Sequence, residues 1–283
     1  MKVKGIIGNY FVTYPVTKRI CRIFGNGQEV MTLVEGDEKA LLFDTGMGYG
    51  NIREVVEYMT DKPLYVVLSH GHLDHVGGSY LWDEVYINEK DRELFEHDTK
   101  EGRIAGMNWL MDQRGYDRLT DNVPFVDKRK IRVLPVKDGD VFHLGGIDLR
   151  VVEMAGHTPG SIMLWDEQDG AILVGDAICR HTLMTVPGRA GLEFSRDQLK
   201  GFLNEYGSRL NFVLSGHNPS PEQPKIIYDT LESIEGVLSG KYKGYLDDFG
   251  KILGAKLMVA KEEVGLEGFC KDGGLGNITW YEE

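Results

Sequence analysis

The chain has 283 residues, with 32 Lys plus Arg against 44 Asp plus Glu, a formal charge of −12. That balance argues against a sequence-independent binder of nucleic acid or anionic membrane, because a polyanion is repelled by it. Hydrophobic residues at 42% and charged residues at 27% mark a globular chain with a sizeable core, not a disordered one. No run of about 18 apolar residues exists, so no transmembrane helix is expected. Met1 to Phe11 lacks a long apolar stretch, so no secretory leader is expected either. Cys21, Cys179 and Cys270 are odd in number and far apart, which is not a disulfide framework and predicts a reducing cytoplasm.

In chain order, Val30–Glu35 and Lys39–Phe43 are short apolar runs around Gly36-Asp37 and predict a hairpin. Asn51–Met59 sets Ile52, Val55, Val56 and Met59 at helical spacing. Leu64–Leu68 is short enough for a buried strand, a polar loop through His75 follows, and Glu84–Ile87 predicts another strand. The charged stretch of about 89–127 predicts a helical insertion over the surface. Its Met107, Trp109 and Tyr116 are either an apolar wall beside a site or, preferred, the buried stripe of a surface helix. Strands resume at Ile131–Leu134, Val141–Phe142 and Ile147–Val152. Ser161–Trp165 and Ala171–Val174 make a hairpin around Asp169-Gly170. Gln198–Tyr206 predicts a helix, Phe212–Leu214 a strand and Pro224–Leu238 a helix. From about residue 240, glycines alternate with short strand-like runs, Lys256–Ala260 and Ile278–Tyr281. No linker interrupts the chain, so residues 1–283 are expected to form one domain with a C-terminal extension.

A faint internal repeat links the two halves. Leu41-Leu42-Phe43-Asp44 resembles Ile172-Leu173-Val174-Gly175-Asp176, and Leu68-Ser69-His70 resembles Leu214-Ser215-Gly216-His217. Both halves thus run strand, Asp, helix, strand, His.

The chemistry concentrates at those strand ends. Histidine is scarce, 8 in the chain, yet three fall in His70-Gly71-His72-Leu73-Asp74-His75. Neutral imidazole and carboxylate are good ligands for zinc and iron. His70 and His72 can address one ion, with Asp74 and His75, one turn further on, addressing a neighbour. Gly77-Gly78 lets the following backbone pack closely. Further donors arrive at other strand ends: His157 in the Gly156–Gly160 turn, Asp176 after an apolar strand, and His217 after Ser215-Gly216. Asp176, with two oxygens, suits a bridge between ions. Asp44, its repeat counterpart, is expected to accept an N–H from a ligand histidine.

These residues resemble the metallo-β-lactamase superfamily over Val30 to about His217: His70-x-His72-x-Asp74-His75, the His157-Thr-Pro-Gly turn, Asp176 and His217. The resemblance implies an α/β fold, a four-layer αββα sandwich with a dinuclear metal site at one edge of the sheets. It implies one site of His70, His72 and His157, another of Asp74, His75 and His217, and Asp176 between them. His72, where flavodiiron relatives have Glu, argues against that redox branch. Asp176, which the true β-lactamases lack, argues against antibiotic hydrolysis. Ser161 and Cys179 stand where glyoxalase II and lactonase branches often carry His and Tyr.

The expected cofactor is two divalent ions, zinc by default, with manganese or iron as substitutes. The expected reaction is hydrolysis of an ester-like bond in a small-molecule substrate, thioester or lactone favoured, by a metal-bridging hydroxide that Asp74 orients. Nucleic acid and membrane are not expected partners. The alternatives are a phosphoesterase on the same site, a mononuclear iron oxidoreductase of the persulfide dioxygenase type, and a non-catalytic binding protein on the scaffold. Arg180 and His181, on an expected rim loop, either bind an anionic substrate or, preferred, are solvated.

Overall fold

The apolar run after Glu29 forms a strand that pairs on both sides. In the computed structural model, residues 6–7, 10–97, 99–105, 108, 130–186, 188–246, 256–264 and 269–281 are described. The chain divides into two compact units, Met1–Val151 with Gly216–Ser220, and Val152–Ser215 with Pro221–Glu283.

The first unit carries a sheet of eight strands in sequence order. They are β1 (Ile6–Ile7), β2 (Phe11–Pro15), β3 (Ile20–Gly25), β4 (Val30–Glu35), β5 (Ala40–Phe43), β6 (Leu64–Val67), β7 (Glu84–Asn88) and β8 (Arg132–Val136). From β1 to β5 neighbours run antiparallel, and from β5 to β8 they run parallel. The change follows from the connections: short turns join the early strands, whereas a parallel step needs a longer crossover. The first crossover contains α1 (Ile52–Met59), capped by Asn51, whose side chain accepts from the Glu54 N–H at 3.3 Å. Its Ile52, Val55, Val56 and Met59 pack on Ile23, Met31, Leu33 and Leu42 of the sheet. Burial of each such side chain contributes about 1.5–3 kcal/mol. The short α2 (Leu73–Val76) and α3 (Arg92–Glu96) follow β6 and β7. An antiparallel hairpin of β9 (Val141–His143) and β10 (Asp148–Glu153) follows, and the last two residues of β10 fall in the second unit.

In the second unit, β11 (Ile162–Asp166) and β12 (Ala171–Gly175) form the expected hairpin. After β13 (His181–Met184) and α4 (Gly188–Tyr206) comes β14 (Phe212–Ser215), parallel to β12. The helix α5 (Lys225–Leu238) packs beside α4, and Leu199, Phe202, Ile226, Ile227 and Ile234 share a core with Trp165 and Ile172. The chain then forms β15 (Tyr245–Leu246), β16 (Leu257–Val259), β17 (Glu263–Val264), β18 (Phe269–Cys270) and β19 (Asn277–Tyr281). Here β19 pairs in parallel with β13 and antiparallel with β16.

Three differences from the sequence reading have clear causes. The sequence does not predict strands β2 and β3, because polar Thr13 and Arg22 interrupt their apolar pattern, yet both side chains are buried. Helix α4 begins ten residues before the expected Gln198. Its buried face includes the small residues Gly191 and Ser195, so the apolar period is hidden. Residues 181–184 are a strand, not a rim loop, because β19 supplies their backbone partners. Of the expected insertion at 89–127, α3 and the helical residues 100–105 are described; Met107, Trp109 and Tyr116 lie outside the described residues.

The repeat has a structural counterpart in each unit. Asp44 follows β5, which lies parallel to β6 and its Ser69-His70; Asp176 follows β12, which lies parallel to β14 and its Ser215.

Candidate metal centre

The histidine-rich loop of the first unit leaves β6 and runs into α2, so its side chains start from a fixed strand end. Glycine spacing lets it lie flat. A Cβ on Gly71 would come within 2.9 Å of the Asp91 carbonyl oxygen, and one on Gly77 within 2.2 Å of the Met47 carbonyl. The buried Asp91 carboxylate accepts from the Gly71 N–H at 2.9 Å, and the His75 carbonyl accepts from the Thr45 N–H at 2.7 Å.

Hydrogen bonds decide which imidazole nitrogens face the site. Asp44 Oδ1 accepts from the Ser69 N–H at 2.7 Å. Its Oδ2 accepts from the Ser69 hydroxyl and from His75 Nδ1, each at 2.8 Å. The expected N–H acceptance by Asp44 is therefore made, at His75. Because the Ser69 proton goes to Asp44, Ser69 Oγ accepts from His70 Nδ1 at 2.9 Å. Both histidines thus carry their proton on Nδ1 and present a lone pair at Nε2. His217 Nδ1 donates to the Gln28 carbonyl at 3.2 Å, which leaves its Nε2 in the same state.

The lone pairs converge. Asp74 Oδ2 lies 3.6 Å from His75 Nε2 and 3.5 Å from His217 Nε2. Four-coordinate zinc with ligand bonds of about 2.0–2.1 Å spaces its ligands about 3.3 Å apart. Asp74, His75 and His217 therefore fit a divalent ion. His70 Nε2 and His72 Nδ1 are 3.0 Å apart, close enough to share another.

The second unit holds the other two predicted donors. His157 sits in the turn after β10, its Nδ1 donating to the Leu183 carbonyl at 2.7 Å, so Nε2 is again the lone-pair atom. Asp176 Oδ2 stands 3.8 Å from it. The turn closes through Ser161, whose hydroxyl is 2.7 Å from that of Thr158 and accepts the Thr158 N–H at 3.1 Å. Ser161 is thereby committed to the turn. Cys179 Sγ lies 3.8 Å from Asp176 Oδ1. Arg180 is held by Glu222, at 2.9 Å from its Nε, and His181 by Glu263 and Thr279, so neither is a free rim side chain.

Sequence reasoning missed Ser69, Asp91 and Arg22. Ser69 stood beside the motif and recurs as Ser215 in the repeat, a signal that was available. The others act across long sequence separations and left none.

Histidines and carboxylates at strand ends, their outer nitrogens committed to acceptors, define a metal-binding α/β protein. Residues 24–235 match the family model of the metallo-beta-lactamase superfamily, and the chain belongs to that superfamily and has its fold. The human acyl-coenzyme A thioesterase MBLAC2 is 30% identical over 164 residues, 52% of this chain and 57% of the thioesterase. The alignment thus spans little more than half of that relative. The hydroxyacylglutathione hydrolase GloC of Haemophilus influenzae is 26% identical over 161 residues, 53% of this chain and 67% of its own. Among solved structures, a metallo-beta-lactamase from Pontibacter korlensis matches with a TM-score of 0.55 at 16% identity, over 80% of this chain and 99% of that one. At that identity the likeness shows the fold alone. No helix among the described residues is long and apolar enough to cross a membrane.

Proposed function

We propose that this chain hydrolyses thioesters of small-molecule acyl carriers, using two divalent ions, zinc by default. The observation that carries the reading is Asp74 Oδ2 set 3.5–3.6 Å from two imidazole nitrogens whose protons are tied up elsewhere. The proposed ligand set is His70, His72 and His157 for one ion, Asp74, His75 and His217 for the other, and Asp176 for both. The superfamily and its hydrolase relatives support it, as does the geometry of each donor group within its own unit. The proposal takes residues 1–283 as one catalytic domain.

Divalent ions held there supply Lewis acidity and a nucleophile at neutral pH. The residues of the chain do the rest. Asp74 is about a quarter exposed while its neighbour His75 is buried, so Asp74 can reach solvent, which supports assigning it to orient a water and take its proton. Asp44 and Ser69 hold His70 and His75 in one tautomer, so no reorganisation is needed as charge develops. Thioesters come first because the named relatives are an acyl-coenzyme A thioesterase and a hydroxyacylglutathione hydrolase. Lactones come second, since Cys179 replaces the tyrosine of the lactonases. The three cysteines are free thiols, which accords with a reducing cytoplasm.

The test is hydrolysis of a thioester, a lactone, a phosphodiester and a phosphomonoester by zinc-reconstituted protein, with Asp74→Ala as the blank. Thioester turnover that vanishes in the variant supports the reading. Turnover of phosphoesters alone moves the assignment to a phosphoesterase. Silence on all four, with one iron per chain and oxygen uptake, replaces it with the oxidoreductase.

A further inference from the structure

We infer that Arg22, on β3, is a positioning residue for His217 and through it for the second ion; this rests on the ligand assignment proposed above. His217 lies in the short segment Gly216–Ser220, which belongs to the first unit although the strand before it belongs to the second. A ligand on such an excursion needs its backbone held from the unit it joins. Both carbonyls flanking His217 are held. The Gly216 carbonyl accepts from the Val30 N–H at 2.8 Å, and the Asn218 carbonyl accepts from Arg22 Nη2 at 2.8 Å.

Arg22 is built for that task. It is 1% exposed and pairs across the sheet with Thr32, whose hydroxyl accepts from Nη1 at 2.6 Å. One planar fork thus ties the sheet to the ligand segment, a geometry that a lysine ammonium on a flexible stem reproduces poorly. Burial of a guanidinium inside a sheet is unfavourable unless its donors are used, so an apolar side chain would serve the core better. The β3–β4 turn completes the hold. Gln28 has φ +72°, a left-handed backbone that a residue with a Cβ seldom adopts, and its carbonyl accepts a hydrogen bond from His217 Nδ1. Three contacts from β3, β4 and their turn therefore fix the backbone, the ring and the tautomer of one ligand.

The experiment uses the full chain, stripped of metal and titrated with Co2+, for wild type, Arg22→Met and Arg22→Lys. In Arg22→Met the first equivalent should bind as in wild type and the second at least tenfold more weakly, with Arg22→Lys between them. Imidazole 15N shifts of the metal-free proteins at about pH 8.5 supply a readout that a general loss of stability does not move. His217 should be the Nδ1–H tautomer in wild type and a mixture in Arg22→Met. Unchanged second-ion affinity and an unchanged tautomer would overturn the inference. Wild-type protein that takes up no second ion would instead overturn the ligand assignment, and the tautomer comparison then judges the Arg22 clamp alone. Where Arg22→Met does not fold, Thr32→Val removes the hydroxyl that steadies the guanidinium, and the same two readouts apply.

Discussion

Asp44 Oδ2 accepts a hydrogen bond from His75 Nδ1 at 2.8 Å, with both side chains closed from solvent. The same carboxylate takes the Ser69 hydroxyl, and through it fixes His70, so one buried acid sets two imidazole tautomers. It does so from a left-handed backbone, φ +68°, a conformation that aspartate and asparagine tolerate better than most residues.

Asp44→Asn keeps that backbone and the shape, but an amide nitrogen at the Oδ2 position would face two donors. Zinc affinity should fall about 10–100-fold. Competition against a chromophoric chelator measures this; an affinity equal to wild type would show that Asp44 does not orient the ligands.

Asp74→Ala should lower kcat on the active substrate class by about 100-fold or more. Thermal stability of the metal-free protein should change little, because the side chain is partly exposed. Steady-state kinetics beside a melting curve separate the two effects, and near-normal turnover in the variant would remove Asp74 from the chemistry.

Glu29 gives a pH prediction. Burial pushes its carboxyl up to about 7, and the Tyr10 hydroxyl donates to Oε1 at 2.9 Å while Oε2 has no hydrogen-bond partner among the described residues. The folded value lies above the unfolded value of 4.5, so the folded state binds the proton more tightly. Stability is fully present below about pH 4.5 and is lost as pH rises through about 7, by about 3 kcal/mol. Glu29→Gln should flatten that slope in metal-free protein. Urea unfolding at several pH values across the window reads it, and parallel slopes in the two proteins would refute the assignment.

Two glycines give opposite expectations. A Cβ on Gly77 meets the Met47 carbonyl at 2.2 Å, so Gly77→Ala should destabilise by about 1–3 kcal/mol and weaken metal binding. Gly201, in α4, has nothing within 4 Å, so Gly201→Ala should stabilise by about 0.5–1 kcal/mol. Chemical denaturation of both variants is the measurement; a shift of the same sign in both would contradict the packing argument.

Legibility followed the range of each interaction. The β4–β5 hairpin, α1 and the β11–β12 hairpin were readable because their apolar period and turn residues lie within a few positions. Strand β13 was not, since its partner β19 arrives about a hundred residues later. The seven candidate donors could be named from spacing and resemblance, because metal-ligand chemistry restricts the residue types and strand ends place them.

By itself the sequence determined many of the local elements and named a candidate donor set, because side-chain chemistry and short-range periodicity are properties of neighbouring residues. Only the tertiary structure decided that Ser69 relays between Asp44 and His70, that Arg22 reaches Asn218 from 196 residues away, and that Arg180 and His181 are already engaged. Those are pairings between distant segments. They exist only once the burial of apolar faces has brought the strands to their places, and no local pattern encodes them.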